Sequence, residues 1–237
     1  MPAKNKPQRG GVVLLGGTGG FVNKGKTDLH KKAERMKFVE ELNEQGYIVG
    51  YSNAYNRNWG SSKAVSAIRD LYKMMKEHFH VRLPIHVVGI SMGSILGLRL
   101  AIKKAIPIAT LTLIKPVMDL AAHRKYILQL EKEDRIGEEL SKAYEMPVKK
   151  IDDYLHDWEL KTDSFPDIPC QVYCGEKDRL APLHNNMLPF AKISMESNQP
   201  TQLTVVEKAA HKDDYRFFKF KEDMIAFLKQ YETAIHR

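Results

Sequence analysis

The stretch "IHVVGISMGSILGLRLAIKK", residues 85–104, joins an apolar, β-branched run to a helical pattern through the sequence G-x-S-x-G. Ser91 lies between Gly89 and Gly93, where a strand turns sharply into a helix. Larger residues at the two glycine positions would collide with the neighbouring strand and helix. Such a turn lifts the serine hydroxyl above the sheet, at the positive end of the helix. Ser91 is therefore a candidate nucleophile, and the alternative is a serine that only caps a helix.

Apolar runs alternate with helical patterns along most of the chain. Strands are predicted at 12–15, 47–51, 85–89, 108–114, 169–174 and 202–206, and helices at 29–45, 61–79, 92–104, 183–196 and 219–232. This alternation is typical of right-handed crossovers and a mostly parallel sheet with helices on both faces. We expect a single α/β domain over residues 1–237, with about six strands and with functional residues in the loops beyond the carboxyl ends of the strands.

The segment at about 116–167 interrupts this alternation. Its apolar residues recur at helical spacing: Tyr126, Ile127 and Leu130, then Ile136, Leu140 and Tyr144, then Ile151, Leu155 and Trp158. The pattern predicts amphipathic helices that form a cap over one edge of the C-terminal face of the sheet. The alternative is a helical insertion that only shields the sheet.

The composition limits the classes of partner. The formal charge is +8 and the pI is about 9.3, but basic residues are scattered among acidic ones and form no tract interleaved with aromatics. This favours attraction to anionic substrates over direct binding of nucleic acid. No apolar run is long enough for a membrane span. The N-terminus, "MPAKNKPQRGG", does not resemble a secretory signal, so we expect a cytoplasmic location.

Cys170 and Cys174 are the only two cysteines. They lie in "CQVYC", which is predicted to be a strand, where their Cα atoms would be about 13 Å apart and too distant for a disulfide. We expect two buried free thiols in a reducing compartment, and neither a metal site nor a cofactor.

A serine hydroxyl becomes a good nucleophile only when a base takes its proton and an acid orients that base. Asp178 follows the strand "CQVYC", and His211 follows the strand "LTVVE". The other histidines, such as His86 in a strand and His184 in a helix, are interpreted as structural. Other candidates for the acid are Asp119, after the strand that precedes the cap, and Asp213 and Asp214, which we expect to cap the following helix.

From about Val12 to the C-terminus the chain resembles small α/β-hydrolases, and is similar to bacterial carboxylesterases and monoacylglycerol-lipase-like serine hydrolases with a short helical cap. The resemblance implies that Ser91 is the nucleophile, His211 the base and Asp178 the acid, in the family's chain order. The turn "YNRNWGSS", residues 55–62, is similar to the family's R-G-x-G-x-S turn through Arg57, Gly60 and Ser62. The family's leading antiparallel strands are expected to be absent.

The sequence "GGTGG", residues 16–20, resembles the family's H-G-x-x-G donor loop, with Gly16 in place of histidine. The resemblance implies that the backbone N–H groups of Thr18 and Met92 form an oxyanion hole. The overlapping segment Gly20–Thr27 also matches the phosphate-binding pattern G-x-x-x-x-G-K-[ST]. We disfavour nucleotide binding because Gly20 lies several residues beyond the end of its strand, and no later strand supplies an aspartate for Mg²⁺.

The basic residues of this region, Lys24, Lys26 and Lys31, form either a solvated loop or a gate, up to Lys32, that favours anionic acyl substrates. The resemblance implies a serine hydrolase that cleaves a small-molecule carboxylic ester or thioester through an acyl-serine intermediate. The apolar faces of the cap suggest an acyl chain or an aromatic group as the part recognised. Two alternatives are a peptidase or amidase on the same fold, and a binding protein that has kept the fold without catalysis.

Overall fold

The computed structural model describes residues 7–23, 26–81, 84–156, 165–197 and 199–232. The strands are β1 Gly10–Leu15, β2 Val22–Asn23, β3 Lys26–Thr27, β4 Tyr47–Ser52, β5 Ile85–Ile90, β6 Ile108–Ile114, β7 Cys170–Gly175 and β8 Thr201–Val206. The helices are α1 Ala33–Glu44, α2 Ser62–Phe79, α3 Gly93–Ile102, α4 Leu120–Glu131, α5 Arg135–Tyr144, α6 Ile151–His156, α7 Met187–Ser197, α8 Asp214–Phe217 and α9 Lys221–Gln230.

Six strands form one parallel sheet in the order β4-β1-β5-β6-β7-β8. The predicted α/β fold is thereby confirmed, because each predicted strand lies within two residues of an observed one. β1 and β5 are buried along their whole length, as expected for central strands covered on both faces. In the described sheet β4 and β8 are the edge strands, and Leu203 and Val205 of β8 are exposed.

Alternate residues of β1 belong to two separate layers of the core. Val12 and Leu14 pack in a cluster that includes Phe38 of α1 and Leu228 of α9. Val13 and Leu15 pack on the opposite face, in a cluster that includes Leu96 of α3. This two-residue period is the geometry of a strand, and it explains why the strands are continuous apolar runs.

Three predicted helices are divided in the structure. The helix expected at 29–45 begins as a 3₁₀ turn at Asp28–Lys31, and Lys32 (φ −123°) separates it from α1. The helix expected at 183–196 is interrupted at Asn186, whose Oδ1 accepts the N–H of Met118 and whose Nδ2 donates to Pro182 O. The last helix is preceded by α8 and a further 3₁₀ turn at Phe218–Phe220.

We call α4, α5 and α6 the cap helices, since they lie between β6 and β7 in the segment predicted to form a cap. Their apolar side chains, such as Ile127 and Leu140, pack against Trp59, Met92 and Ile95. The predicted inner position of Leu130 is wrong, because the buried face of α4 ends one turn earlier and this side chain is 53% exposed. Trp158 lies outside the described residues.

Buried polar contacts tie the cap helices to the rest of the fold. The Arg99 guanidinium, on α3, donates to Gly60 O and to the hydroxyls of Tyr144 and Tyr154. The Trp59 indole N–H donates to Glu139, 2.9 Å away. Because buried polar groups are costly to separate from their partners, these contacts hold the cap helices in a fixed position.

Cys170 and Cys174 are free and buried, and burial raises the pKa of each thiol to about 12. Among the helices of the described residues, none combines the length and the apolar composition that a membrane span needs.

The buried His86 makes stability depend on pH. Its Nδ1 is 2.8 Å from the Thr110 hydroxyl, and burial lowers its pKa from 6.5 to about 4. The unfolded chain therefore binds a proton first as the pH falls, so stability is full above pH 6.5 and is lost towards pH 4. We expect His86→Asn, which keeps a partner for Thr110, to reduce the loss of unfolding free energy between pH 6.5 and 5 by about 2 kcal/mol. Urea unfolding at both pH values measures it.

The control is His78→Asn, which changes an exposed histidine of α2. It should keep the wild-type pH dependence. If the unfolding free energy of His86→Asn depended on pH as that of the wild-type protein does, the assignment of His86 as a neutral buried group would be wrong.

Candidate active site

Ser91 lies on a strained turn between β5 and α3. Its φ is 56°, a left-handed conformation that is uncommon for residues other than glycine. The Ser91 N–H donates to Ile114 O on the neighbouring strand, at 3.0 Å. A Cβ atom on Gly89 would lie 2.8 Å from Ser94 Cα, and one on Gly93 would lie 2.3 Å from Leu15 O. Both positions therefore require glycine, which is the steric reason for the G-x-S-x-G pattern.

His211 and Asp178 meet Ser91 at the carboxyl ends of the strands. Ser91 Oγ is 2.9 Å from His211 Nε2, and His211 Nδ1 is 2.7 Å from Asp178 Oδ2. The Asp178 side chain is fully buried, and 17% of the His211 side chain is exposed. Asp178 Oδ1 accepts the N–H groups of Leu180 and Ala181. These two donors fix the carboxylate and leave Oδ2 to orient the imidazole.

The three other candidate acids have different partners. Asp119 caps α4 by accepting the N–H of Ala122 at 2.8 Å. The expectation that Asp213 and Asp214 cap the following helix is met in part: Asp213 is the N-cap residue of α8, but its side chain accepts no N–H of that helix, and Asp214 is the first residue of α8. Asp213 accepts the N–H of Ala210, and Asp214 forms buried ion pairs with Arg35 and Lys115. Of the four carboxylates, Asp178 is the one that contacts His211.

The donor loop, residues 16–20, runs beside Ser91. A Cβ atom on Gly17 would lie 3.3 Å from Ser91 Cβ and 3.7 Å from Ser91 Oγ. The N–H of Gly20 closes the loop on Gly17 O, at 3.0 Å. Within the described residues the N–H groups of Thr18 and Met92 donate no hydrogen bond to the protein. The expected role of these two N–H groups as oxyanion donors requires that they have no such partner.

Comparisons by sequence find no match: no model of a known protein family matches the chain, and neither does any curated protein. The fold is similar to that of a highly thermostable carboxyl esterase from Bacillus coagulans, at 15% identity and a TM-score of 0.68 over 97% of this chain and 92% of that one. Est1E from Butyrivibrio proteoclasticus gives 16% identity and a TM-score of 0.66 over 97% and 90%. The chain has the α/β-hydrolase fold.

A third similar structure is a puromycin-hydrolyzing peptidase from Mycobacterium tuberculosis, at 17% identity and a TM-score of 0.69. The match covers 97% of this chain but 35% of the peptidase. At these identities the likeness establishes the α/β-hydrolase fold, and function has to be argued from the site itself.

The described part of Gly20–Thr27, residues 20–23 and 26–27, does not have the geometry of a phosphate loop. β2 and β3 pair as an antiparallel hairpin, whereas a phosphate loop leads directly from a buried strand into a helix. Lys26 and Lys31 are exposed, and Lys31 Nζ lies 5.2 Å from the centre of the Phe21 ring. Lys24 lies outside the described residues. The two short strands of the described part are largely exposed and follow the donor loop directly in the chain.

The turn at residues 55–62 connects the sheet to the cap helices. Arg57 forms an ion pair with Glu139 of α5. Gly60 has a φ of 74°, and a Cβ atom there would lie 2.8 Å from Ile95 Cγ2. Ser61, rather than Ser62, caps α2 by accepting the N–H of Ala64.

A cavity of about 900 Å³ lies next to His211 and Asp178. Its lining includes Tyr126 of α4, Leu180 and Pro182 after β7, and the cations Lys177, Arg179 and Lys212. The Tyr126 hydroxyl donates to Arg179 O at 2.8 Å. The cavity is large enough for a small organic ligand and opens between α4 and the loops that carry the two residues.

The other histidines were expected to be surface or core residues, and two of them lie close to residues around the site. The His184 ring packs edge-on against Tyr126, which lines the cavity, with 6.1 Å between the ring centres. The second is His123. It is buried against Trp59, with 5.5 Å between the ring centres. Burial, with a smaller contribution from His211, lowers the pKa of His123 to about 4, so it is neutral at pH 7. Its position on a cap helix gives no local sequence signal, because only the fold brings α4 over Trp59.

The approach of α3 to β1 can be tested with one added methyl group. We expect Gly93→Ala to destabilise the protein by about 3 kcal/mol, because the added Cβ would overlap the backbone oxygen of Leu15. The matched control is Gly97→Ala on the same helix, where the added atom meets the flexible end of Leu111 at 3.0 Å. Urea unfolding measures both, and equal stabilities would contradict the close approach.

Proposed function

We propose that the protein is a serine hydrolase that cleaves a carboxylic ester or thioester through an acyl-serine intermediate. The observation that carries the proposal is the hydrogen-bonded chain from Ser91 Oγ to His211 Nε2, at 2.9 Å, and from His211 Nδ1 to Asp178 Oδ2, at 2.7 Å. A nucleophile, a base and an orienting acid in this geometry perform acyl transfer on several unrelated folds. The likeness to two esterases supports the same reading.

In the proposed first step His211 Nε2 takes the proton of Ser91 as Oγ attacks the carbonyl carbon. Asp178, held by two backbone donors, keeps Nδ1 protonated and stabilises the imidazolium that forms. The N–H groups of Thr18 and Met92 bind the oxyanion of the tetrahedral intermediate. Loss of one such donor typically costs about 3–4 kcal/mol of transition-state stabilisation.

His211 then donates its proton to the departing alcohol or thiol, which leaves the acyl group on Ser91. In the second half of the reaction the same imidazole activates a water molecule. Water attacks the acyl-serine, and the same N–H groups bind the oxyanion that forms. Collapse of this intermediate releases the carboxylic acid and restores the serine.

The cavity beside His211 is the proposed substrate pocket. The apolar faces of the cap helices are largely buried against Trp59, Met92 and Ile95. Their contribution to the pocket is Tyr126, while Leu180 and Pro182 supply further apolar surface. We therefore propose a small-molecule acyl ester or thioester whose acyl or leaving group lies between α4 and the loop that follows Asp178.

Replacement of the nucleophile or the base tests the mechanism. We expect Ser91→Ala and His211→Ala each to reduce kcat on p-nitrophenyl esters by at least about 10³-fold, because the residues act as a unit. The double variant should lose little more than either single one. A fluorophosphonate probe should label the wild-type protein at Ser91, and labelling should disappear in Ser91→Ala.

If kcat of the double variant fell by the product of the two single-variant factors, Ser91 and His211 would not be partners. A folded wild-type protein that the probe does not label, and that binds an ester analogue equally well after Ser91→Ala, would instead favour a non-catalytic binding protein. Faster turnover of aminoacyl amides than of short esters would favour the peptidase or amidase alternative.

The acid is tested by a pair of isosteric changes. We expect Asp178→Asn to lower kcat by about 10³–10⁴-fold, because an amide favours the wrong tautomer of His211. Asp119→Asn is the matched control, since this carboxylate caps α4 and does not contact the imidazole. Steady-state kinetics on the same ester measures both. If Asp178→Asn lowered kcat only slightly and Asp119→Asn lowered it severely, Asp119 would be the acid instead.

A further inference from the structure

A group of buried and half-buried polar side chains links the donor loop to the loop that carries His211. The group consists of Tyr51, Asp28, Arg35, Asp214 and Lys115, and we call it the buried network. Its members come from β4, the 3₁₀ turn before α1, α1 itself, α8 and the end of β6. None of them belongs to the proposed triad or oxyanion hole.

At one end of the buried network, Tyr51 and Asp28 support the donor loop from beneath. A Cβ atom on Gly16 would lie 2.6 Å from the Tyr51 hydroxyl oxygen, and one on Gly20 would lie 2.9 Å from it. The hydroxyl therefore occupies the space that side chains at 16 and 20 would need. Tyr51 donates to Asp28 Oδ1, which also accepts the N–H of Phe21 at 3.1 Å.

Burial, reinforced by Asp28, raises the pKa of Tyr51 well above its ordinary value. The phenol therefore stays a hydrogen-bond donor at neutral pH. Gly16 stands where the donor loop of the family that the chain resembles has histidine. Tyr51 and Asp28 provide a support for the loop that does not depend on a side chain at position 16.

At the other end, Lys115 holds the backbone of His211. Its Nζ donates to His211 O at 2.6 Å and also to Asp214 Oδ1. The Lys115 side chain is 4% exposed. Its backbone has a φ of 43°, in the left-handed region. A buried lysine in a strained conformation on the backbone of the base points to a positional role.

Arg35 joins the two ends. Its Nε donates to Asp214 Oδ2 at 3.0 Å, and its Nη1 lies 3.9 Å from Asp28 Oδ2. Burial alone would raise the pKa of Asp214, but Arg35 and Lys115 outweigh it and hold the pKa below its ordinary value. Two cations thus balance two carboxylates. Buried ion pairs are a weak source of stability compared with apolar packing, so their use here favours a geometric role.

We propose that Tyr51, Asp28, Arg35, Asp214 and Lys115 are positioning residues, which fix the donor loop and the His211 loop relative to each other. This inference rests on the proposed function. The oxyanion donor at Thr18 leaves β1, whereas His211 follows β8 at the far edge of the sheet. A displacement of 1 Å between catalytic groups costs about a hundredfold in rate, so a fixed link between the two loops has a direct effect on turnover.

Tyr51→Phe tests the network, because it removes one hydroxyl and keeps the ring. The structure offers a control on the same strand: Tyr47, which is fully buried where Tyr51 is half-buried, also donates to a carboxylate, that of Glu232, but at the opposite end of β4. We expect Tyr51→Phe to lower kcat on an activated ester by at least about tenfold and to change KM by less than about twofold. Tyr47→Phe should leave both constants unchanged.

A second measurement separates position from stability. A trifluoromethyl ketone forms a tetrahedral oxyanion adduct with the serine of such enzymes, so its inhibition constant reports on the donor geometry. In Tyr51→Phe this inhibition constant should rise by the same factor as kcat/KM falls. Both constants are expressed per active site, counted by fluorophosphonate labelling. Lys115→Met approaches the network from its other end. In the double variant Tyr51→Phe/Lys115→Met, kcat/KM should fall by less than the product of the two single-variant factors.

The outcomes are distinguishable. If the wild-type protein hydrolyses esters and Tyr51→Phe behaves like Tyr47→Phe in kcat and in inhibition, the network is only structural and the inference fails while the proposed function stands. If both variants melt at lower temperatures yet retain full kcat per labelled site, the inference fails as well. If the wild-type protein is neither labelled nor active on any ester or thioester, the proposed function and this inference fail together.

Discussion

The backbone of Gly93 lies so close to the end of β1 that a single added carbon would overlap Leu15 O and Gly16 O. This contact sets the distance between the start of α3 and the loop that leaves β1. Ser91, two residues earlier, adopts a left-handed conformation, and a Cβ atom on Gly17 of the donor loop would lie 3.3 Å from Ser91 Cβ. Two backbones can approach here because neither carries a side chain, and the proposed oxyanion donors, the N–H groups of Thr18 and Met92, belong to the two segments that meet.

The cap helices and the sheet behave as one packed unit. Arg99 reaches from α3 to two tyrosines of the cap, and Trp59 reaches from the loop after β4 to Glu139. Opening the cap would leave these buried groups without partners, so ligand entry is better explained by the space between α4 and the loops after β7 and β8. Tyr126 spans that entrance through its contact with Arg179.

The strands could be predicted from the sequence because most of them are buried apolar runs. The proximity of Ser91, Asp178 and His211 could be predicted because the ends of parallel strands meet at one edge of a sheet. The features that could not be predicted depend on contacts between distant segments. The break at Asn186 follows from a hydrogen bond to Met118. The ion pairs of Asp214 join it to residues 179 and 99 positions earlier, Arg35 and Lys115, and no local pattern marks such pairs.

β8 is an edge strand of the described sheet, paired on one side with β7, and its outer residues face solvent. Edge strands held by few buried contacts open locally before a domain unfolds as a whole. His211 follows β8, whereas Ser91 follows the fully buried β5 at the centre of the sheet. The two partners therefore belong to regions of unequal local stability. Fraying of this single peripheral strand would have to break the contact of Lys115 with His211 O before it could separate the imidazole from the hydroxyl, while the central sheet and its cap stayed intact.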